Sequence, residues 1–538
     1  MTCTAHVDTF ARDNLPPRDQ WPEFLFELPQ LHYPARLNCA TELLDGAVAR
    51  GWGERRAIVT TDGVRWTYVD LLAHANRIAH VLVDDLRIVS GNRVLLRGPN
   101  SPWMAACWFA VMKAGAIAVA TMPLLRAKEL TAVVTKAEIS HALCDARLAD
   151  ELNRAREACP SLHEIAWFQS SDDDAIEARA ARKPAHFDDV ATAADDTALI
   201  AFTSGTTGQP KGTMHFHRDI VAACDCWPPA HLRAEPDDLF TGTPPLAFTF
   251  GLGGLLLFPL RIGAATLLVE RATPGELLDV VAAQRATVLF TAPTMYRALA
   301  PLAAKRSALP LRKCASAGEA LPAATRKLWK DATGIEIIDG IGSTEMFHIF
   351  ISHDEATARP GATGKPVPGY RACVMDDAGR PLPPGRVGQL AVKGPTGCRY
   401  LADPRQANYV RDGWNYTGDA YLVDEDGYFV FQARSDDMIV SAGYNIAGPE
   451  VESALLMHPA VLECGVVGLD DAERGQIVTA FVVLKPGHAA DAAMTGELQD
   501  FVKRAIAPYK YPRSIRYLGA LPRTETGKLQ RFRLRALT

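Results

Sequence analysis

The sequence predicts an α/β fold with a large, multi-lobed N-terminal domain of mixed sheets (residues 1–434) and a small α+β C-terminal domain (residues 435–538). Three observations carry this expectation. Helix-period segments alternate with short β-branched or apolar runs through about the first 430 residues, which indicates a largely parallel sheet. After about residue 380, Gly and Asp separate aromatic and β-branched runs, a pattern of antiparallel strands. Beyond Arg434 a fresh unit of about 100 residues starts, with its own helix and strands.

Taken in order, strands are expected at 93–96, 197–203 and 288–291. Residues 102–125 form the most membrane-like run, but Lys113 and a Gly-Ala break make it a buried helix and strand instead. Residues 170–189, SSDDDAIEARAARKPAHFDD, mix both charge signs with few apolar residues and read as a surface excursion. In the C-terminal unit a helix is expected over 449–457 and strands over 462–468 and 478–484. The sequence contains no internal repeat.

Composition narrows the function classes. At 538 residues, and roughly 150 per domain, the chain holds several folding units. With 48% hydrophobic and 22% charged residues it is globular rather than disordered. Its net charge of −5 weighs against a protein that grips nucleic acid by bulk charge. Eleven cysteines without a C-x-x-C pair suit a reducing compartment, and the single-residue spacing of Cys224 and Cys226 reads as incidental. The first residues lack the apolar core of a signal peptide, so a cytoplasmic protein with no membrane partner is expected.

The most informative run follows the strand at 197–203: Thr203, Ser204, Gly205, Thr206, Thr207, Gly208, then Gln209, Pro210, Lys211 and Gly212. Glycines let successive N–H groups point into one concavity, hydroxyls add donors, and Lys211 adds a mobile positive charge. Such a loop suits a polyphosphate. Its spacing differs from G-x-x-x-x-G-K-[ST], because Lys211 follows a proline and precedes a glycine.

This loop resembles that of the adenylate-forming superfamily of acyl-CoA synthetases, luciferases and carrier-loading adenylation domains. Three further segments match in the expected order: IGSTE at 341–345, YTGD at 416–419 and PRTETGK at 522–528. The resemblance implies ATP, Mg²⁺ and coenzyme A as reactants and cofactor. Asp419 would accept from the two ribose hydroxyls, with Arg434 tightening the same edge. Glu345 is a hard oxygen ligand for Mg²⁺, and Thr344 would donate to the α-phosphate or the acyl carboxylate. Lys528 would reach into the site and bridge carboxylate and α-phosphate during adenylation. The stretch SAGEALP at 316–322 and DGIGSTEMFHIF at 339–350 is similar to benzoate-type aryl-CoA ligases, which places Gly318, Glu319, Ala320, Asp339 and Gly340 at the nucleotide.

The acyl slot is expected at 246–253, LAFTFGLG, which holds aromatics and no acidic residue. A buried α-ammonium without a carboxylate partner is costly, so an acid lacking an α-amino group is implied. By resemblance Phe248, Thr249 and Phe250 line the slot, Gly342 gives the ring room, and His348 with Ile349 closes it. Ordinary core packing of the two phenylalanines, and a satisfied core histidine at His348, are the alternatives. The leader at 13–45 is similar to that of 2-aminobenzoate-CoA ligases, which favours 2-aminobenzoate over benzoate, with Thr249 or His348 accepting from the neutral aniline nitrogen. For the thioester step the C-terminal domain would rotate about Asp436, and Ser441, Gly443 and Tyr444 would form the pantetheine channel. A stand-alone enzyme loading a carrier protein, a non-catalytic ligand-binding relative, and luciferase-type oxygen chemistry are the other readings; a chain ending at Thr538 without a carrier domain favours CoA. Self-association is left open.

Overall fold

The computed structural model describes residues 4–203, 210–434, 437–441, 444–471, 473–524 and 529–537. Among them the strands form four sheets. The six-stranded sheet runs Glu164–Phe168, His141–Asp145, Arg93–Arg97, Ile117–Thr121, Thr197–Thr203 and Lys211–Phe216, parallel except for the last pair. A nine-stranded sheet has a parallel centre ordered Ile337–Gly342, Lys313–Ser316, Val288–Thr291, Leu239–Gly242, Ala265–Leu268 and Arg56–Thr60. Antiparallel strands finish both of its edges. A five-stranded antiparallel sheet follows, centred on Gly388–Lys393 and Trp414–Val423. The C-terminal sheet pairs Val461–Asp471 with Gly475–Leu484 over ten positions, with Ile439–Ser441, Tyr444–Ile446 and Ser514–Tyr517 alongside.

The parallel centres are buried on both faces, and their sequences read accordingly: Val288–Thr291 and Lys313–Ser316 are short, mostly apolar runs rather than alternations. The segment at 102–125 is an internal helix, Pro102–Lys113, and a strand, Ile117–Thr121, both fully buried apart from Trp103. The helix starts where Ser101 accepts from the Met104 N–H and Pro102 occupies the first turn. No described helix is long and apolar enough to cross a membrane. The excursion at 170–189 is more ordered than its composition suggests, because Ile176–Ala181 is a helix that buries Ile176 and Ala180.

Lys113 explains how that excursion is tied down. Its ammonium is wholly buried, 2.6 Å from Asp45 and 2.8 Å from Asp189. Asp189 also accepts from Thr41 at 2.5 Å. One cation thus joins the helix Pro102–Lys113, the N-terminal helical segment Thr41–Asp45 and the end of the excursion. Removing it strands two carboxylates together, and breaking such a buried pair costs about 3–5 kcal/mol. A Lys113→Met protein is therefore expected to unfold at clearly lower urea concentration; an unchanged midpoint would show that the triad contributes nothing.

Candidate active site

Several of the described candidate residues lie at or just after the ends of parallel strands, the usual ligand edge of an α/β sheet. Thr203 closes the strand Thr197–Thr203, and Lys211 opens the antiparallel return strand Lys211–Phe216. Gly318, Glu319 and Ala320 follow the strand Lys313–Ser316, with Glu319 accepting from the Thr294 hydroxyl at 3.0 Å. Asp339 and Gly340 lie in the strand Ile337–Gly342, and Thr344 with Glu345 occupies the turn leading to Ile349–Ser352. Ser204, Gly205, Thr206, Thr207, Gly208, Asp436, Gly443 and Lys528 lie outside the described residues.

The turn at 343–348 is held from several sides. His215, on the return strand, hydrogen-bonds the Thr344 carbonyl through Nε2 at 2.8 Å. The Met346 N–H donates to Ser343 Oγ at 3.2 Å, and Thr396 donates to the Met346 carbonyl at 2.7 Å. Phe347 takes a left-handed φ of 68° while wholly buried, a conformation that persists only when its surroundings enforce it. The enforcing contact is visible: its ring meets His215 edge-on, with centroids 5.3 Å apart. Gly342 is needed here because a Cβ would lie 2.7 Å from the His348 carbonyl. The close neighbour is thus backbone.

Glu345 is almost buried, and its Oε1 accepts from the Tyr400 hydroxyl at 2.6 Å. Lys211 Nζ donates to the same hydroxyl at 3.4 Å. Burial, reinforced by the Glu345 charge, pushes the Tyr400 phenol well up, so it stays a proton donor. Asp419 stands on the strand Trp414–Val423 opposite Arg434, which donates to Oδ1 at 3.0 Å. Burial raises its carboxyl and Arg434 opposes the shift. Gly418, just before Asp419, has φ +76°, and a Cβ there would sit 2.8 Å from Arg434 Nη2. Asp339 Oδ1 is buried without a hydrogen-bond partner among the described residues, and burial pushes its carboxyl up to about 7 against the pull of Arg326. A carboxylate paired to an arginine suits a diol, and an orphaned oxygen suits an incoming N–H donor.

The expected slot is walled by rings. His348 lies 4.5 Å from Phe258 and 5.6 Å from both Phe250 and Trp227, centroid to centroid, and Phe250 reaches Phe290 at 5.6 Å. Phe248 precedes the short helix Thr249–Leu252 and is half-buried, whereas Thr249 and Ile349 are buried. Neither ring nitrogen of His348 has a well-formed hydrogen bond among the described residues. Burial holds its imidazole down to about 3, so it is neutral, and the Phe250 carbonyl opposes this only partly.

Among the thiol-channel candidates, Ser441 is buried and Tyr444 is exposed, stacked on Tyr509 with centroids 4.6 Å apart. Both belong to the C-terminal sheet. Arg523, within the PRTETGK motif, lies 3.8 Å from Glu319 and pairs with Glu463 at 2.6 Å. Arg297 donates to the Leu462 carbonyl at 2.9 Å, a second contact between the C-terminal sheet and the larger unit. Tyr400, His215 and Arg399 were not expected from the sequence. The one available signal was the inward-facing histidine of the alternating run KGTMHF.

An imidazole that titrates near 6.5 when unfolded and near 3 when folded costs nothing above pH 6.5. Below that the unfolded chain takes up a proton that the folded protein refuses, and stability falls by about 1.4 kcal/mol per pH unit for each such group. His215 and His217 are likewise pushed down to about 3 by burial. Urea unfolding should weaken between pH 6.5 and 4.5, and His348→Phe should lower the linked proton uptake by about one. Identical proton uptake in the two proteins would mean that His348 is not held neutral.

Comparison with known proteins identifies the family and supports the fold. The profile of the "AMP-binding enzyme" family matches residues 46–400, and that of the "AMP-binding enzyme C-terminal domain" matches residues 450–528. A benzoate–CoA ligase of Thauera aromatica is 34% identical over 514 residues, spanning 94% of this chain and 97% of the relative. The crystal structure of the anthranilate CoA ligase AuaEII in complex with anthranoyl-AMP superposes with a TM-score of 0.90 at 33% identity, covering 95% of this chain and 99% of that one. A benzoate CoA ligase from Burkholderia xenovorans LB400 gives 0.84 at 31% identity, covering 93% and 99%. From the glycine-threonine loop to the C-terminal sheet, the chain belongs to the AMP-binding enzymes of the adenylate-forming superfamily.

Proposed function

We propose that this protein is an AMP-forming aryl-CoA ligase and that 2-aminobenzoate is its favoured acid, ahead of benzoate. The observation that carries the reading is the slot itself. At the expected slot the rings of Phe250, Phe258 and Trp227 gather around His348, the segment at 246–253 contains no acidic residue, and the neutral His348, with no well-formed hydrogen bond among the described residues, lies three residues after Glu345. A flat ring fits between aromatic faces. A neutral imidazole can accept from an aniline N–H, which removes the cost of leaving a buried nitrogen unpaired. The benzoate and anthranilate ligases that resemble the chain over nearly its whole length support the same class.

In the first step a carboxylate oxygen of the acid attacks the α-phosphorus of ATP, forming the aryl-adenylate and releasing pyrophosphate. The loop at 203–208 and Lys211 would hold the phosphates, Thr344 would orient the α-phosphate, and Asp419 with Arg434 would take the ribose. Gly318, Glu319, Ala320, Asp339 and Gly340 would surround the adenine, whose amino group can donate to the orphaned Asp339 oxygen. Glu345 is the residue fitted to hold Mg²⁺, which offsets phosphate charge when bound. In the second step the CoA sulfur attacks the acyl carbon, AMP leaves, and the thiol proton passes to solvent. We place the domain boundary at 434/435, with rotation about Asp436 replacing Lys528 by the channel at Ser441, Gly443 and Tyr444.

A panel of benzoate derivatives assayed for AMP release with and without free CoA tests the class. CoA-dependent aryl thioester is expected, with a higher kcat/KM for 2-aminobenzoate than for benzoate and a His348→Phe variant that erases the difference. Turnover of neither acid would reject the reading, and adenylate accumulation without thioester would favour a carrier protein as acceptor.

Lys528 is proposed to stabilise the charge that crowds the anhydride. Replacing it by alanine should slow acid-dependent pyrophosphate exchange by about 10²–10³ while nucleotide still binds. Exchange at the parent rate would remove it from the mechanism.

A further inference from the structure

We propose that Tyr400 is a positioning residue for Glu345, whose phenol keeps that carboxylate apart from Lys211 so that both charges stay available to the metal and the phosphates. The inference rests on the reading of Glu345 as the Mg²⁺ ligand. Tyr400 is wholly buried, and its hydroxyl sits between the two charges: it donates to Glu345 Oε1 at 2.6 Å and accepts from Lys211 at 3.4 Å. No ion pair joins Lys211 to Glu345 among the described residues. A lysine and a carboxylate that share one hydroxyl would gain by direct pairing if that hydroxyl were absent, and the pair would neutralise the charge needed at a metal.

The phenol can act as a spacer because its backbone cannot drift. Its N–H donates to the buried Gln406 side chain at 2.9 Å, and Tyr400 bridges Thr213 in antiparallel register. On either side, the Met214 N–H donates to the Arg399 carbonyl at 2.8 Å and the Leu401 N–H to the Gly212 carbonyl at 2.8 Å. Tyr409 packs edge-on against the ring at 5.7 Å, and its own hydroxyl reaches Ser343 at 3.4 Å. Segments near 211, 345 and 400 are thereby fixed around one oxygen atom. A purely structural tyrosine would need only the ring and a partner for its hydroxyl; here that partner is the proposed metal ligand and the neighbour is the phosphate-side lysine.

Tyr400→Phe keeps the ring and deletes the spacer oxygen. Mn²⁺ serves as the probe: its binding to the nucleotide-loaded protein, followed by electron paramagnetic resonance, should weaken by about tenfold, the weight of one hydrogen bond to an ionised group. Binding of ATP in excess chelator and KM for the acid should not move. In a Glu345→Gln background the same substitution should add nothing. Unchanged Mn²⁺ affinity in Tyr400→Phe beside a weakened Glu345→Gln protein would overturn the proposal alone, as would full additivity of the two. Unaltered Mn²⁺ affinity in Glu345→Gln would overturn the metal reading, and the proposal with it.

Discussion

The candidate site depends on how residues 399–401 pair with the return strand Lys211–Phe216. That pairing brings together segments separated by about 190 positions, and it is secured by a buried charge rather than by apolar contact alone. Arg399 is wholly buried beside Asp219, and it also donates to the Met214 carbonyl at 3.2 Å. Its guanidinium lies 3.8 Å from the Phe216 ring centre and 4.7 Å from that of Phe24. Burial pulls the Asp219 carboxyl up and the Arg399 guanidinium down, each opposed by the other's charge. Replacing such a pair by apolar groups is often neutral or stabilising, so its use here is better understood as fixing one register. A shift of one residue would turn Tyr400 away from Glu345, because neighbouring side chains of a strand face opposite sides.

The N-terminal leader takes part in the same constraint. Trp21 and Phe24 cover Arg399, the Gln20 carbonyl accepts from Gln406 at 2.8 Å, and Phe24 bridges Gly394. Gln406 in turn holds the Tyr400 N–H. Residues that resemble a substrate-specific leader in sequence therefore pack behind the Glu345 side of the site, where they exclude water from a buried ion pair.

Local pattern made much of the fold legible. The strands Thr197–Thr203 and Val288–Thr291 begin and end where apolar runs meet turn residues, and Pro102–Lys113 is betrayed as internal by its lysine. The C-terminal strands were expected too short, at 462–468 and 478–484, because their outer turns run through charged and glycine residues that a hairpin of Val461–Asp471 with Gly475–Leu484 still pairs. In the site, Thr344, Glu345 and Asp419 were visible because each sits in a short motif. Tyr400, His215 and Arg399 were not, since what defines them is a partner far along the chain. Lys113 shows the same limit: nothing near it in sequence names Asp45 or Asp189.

The polar groups left without partners complete the argument. A folded protein satisfies nearly all its buried polar atoms, because each orphan costs about 1–3 kcal/mol. Among the described residues, Asp339 Oδ1 and both nitrogens of His348 lack a well-formed hydrogen bond. Around them, His215, Thr396 and Tyr400 hold the turn at 343–348 rigidly enough to keep Phe347 in a left-handed conformation. A turn braced this firmly cannot relax to satisfy its own orphans. On the proposed reading, the stability forgone in the unliganded protein is available to an adenine amino group at Asp339 and to a ring substituent at His348, and only the second of these would discriminate between acids.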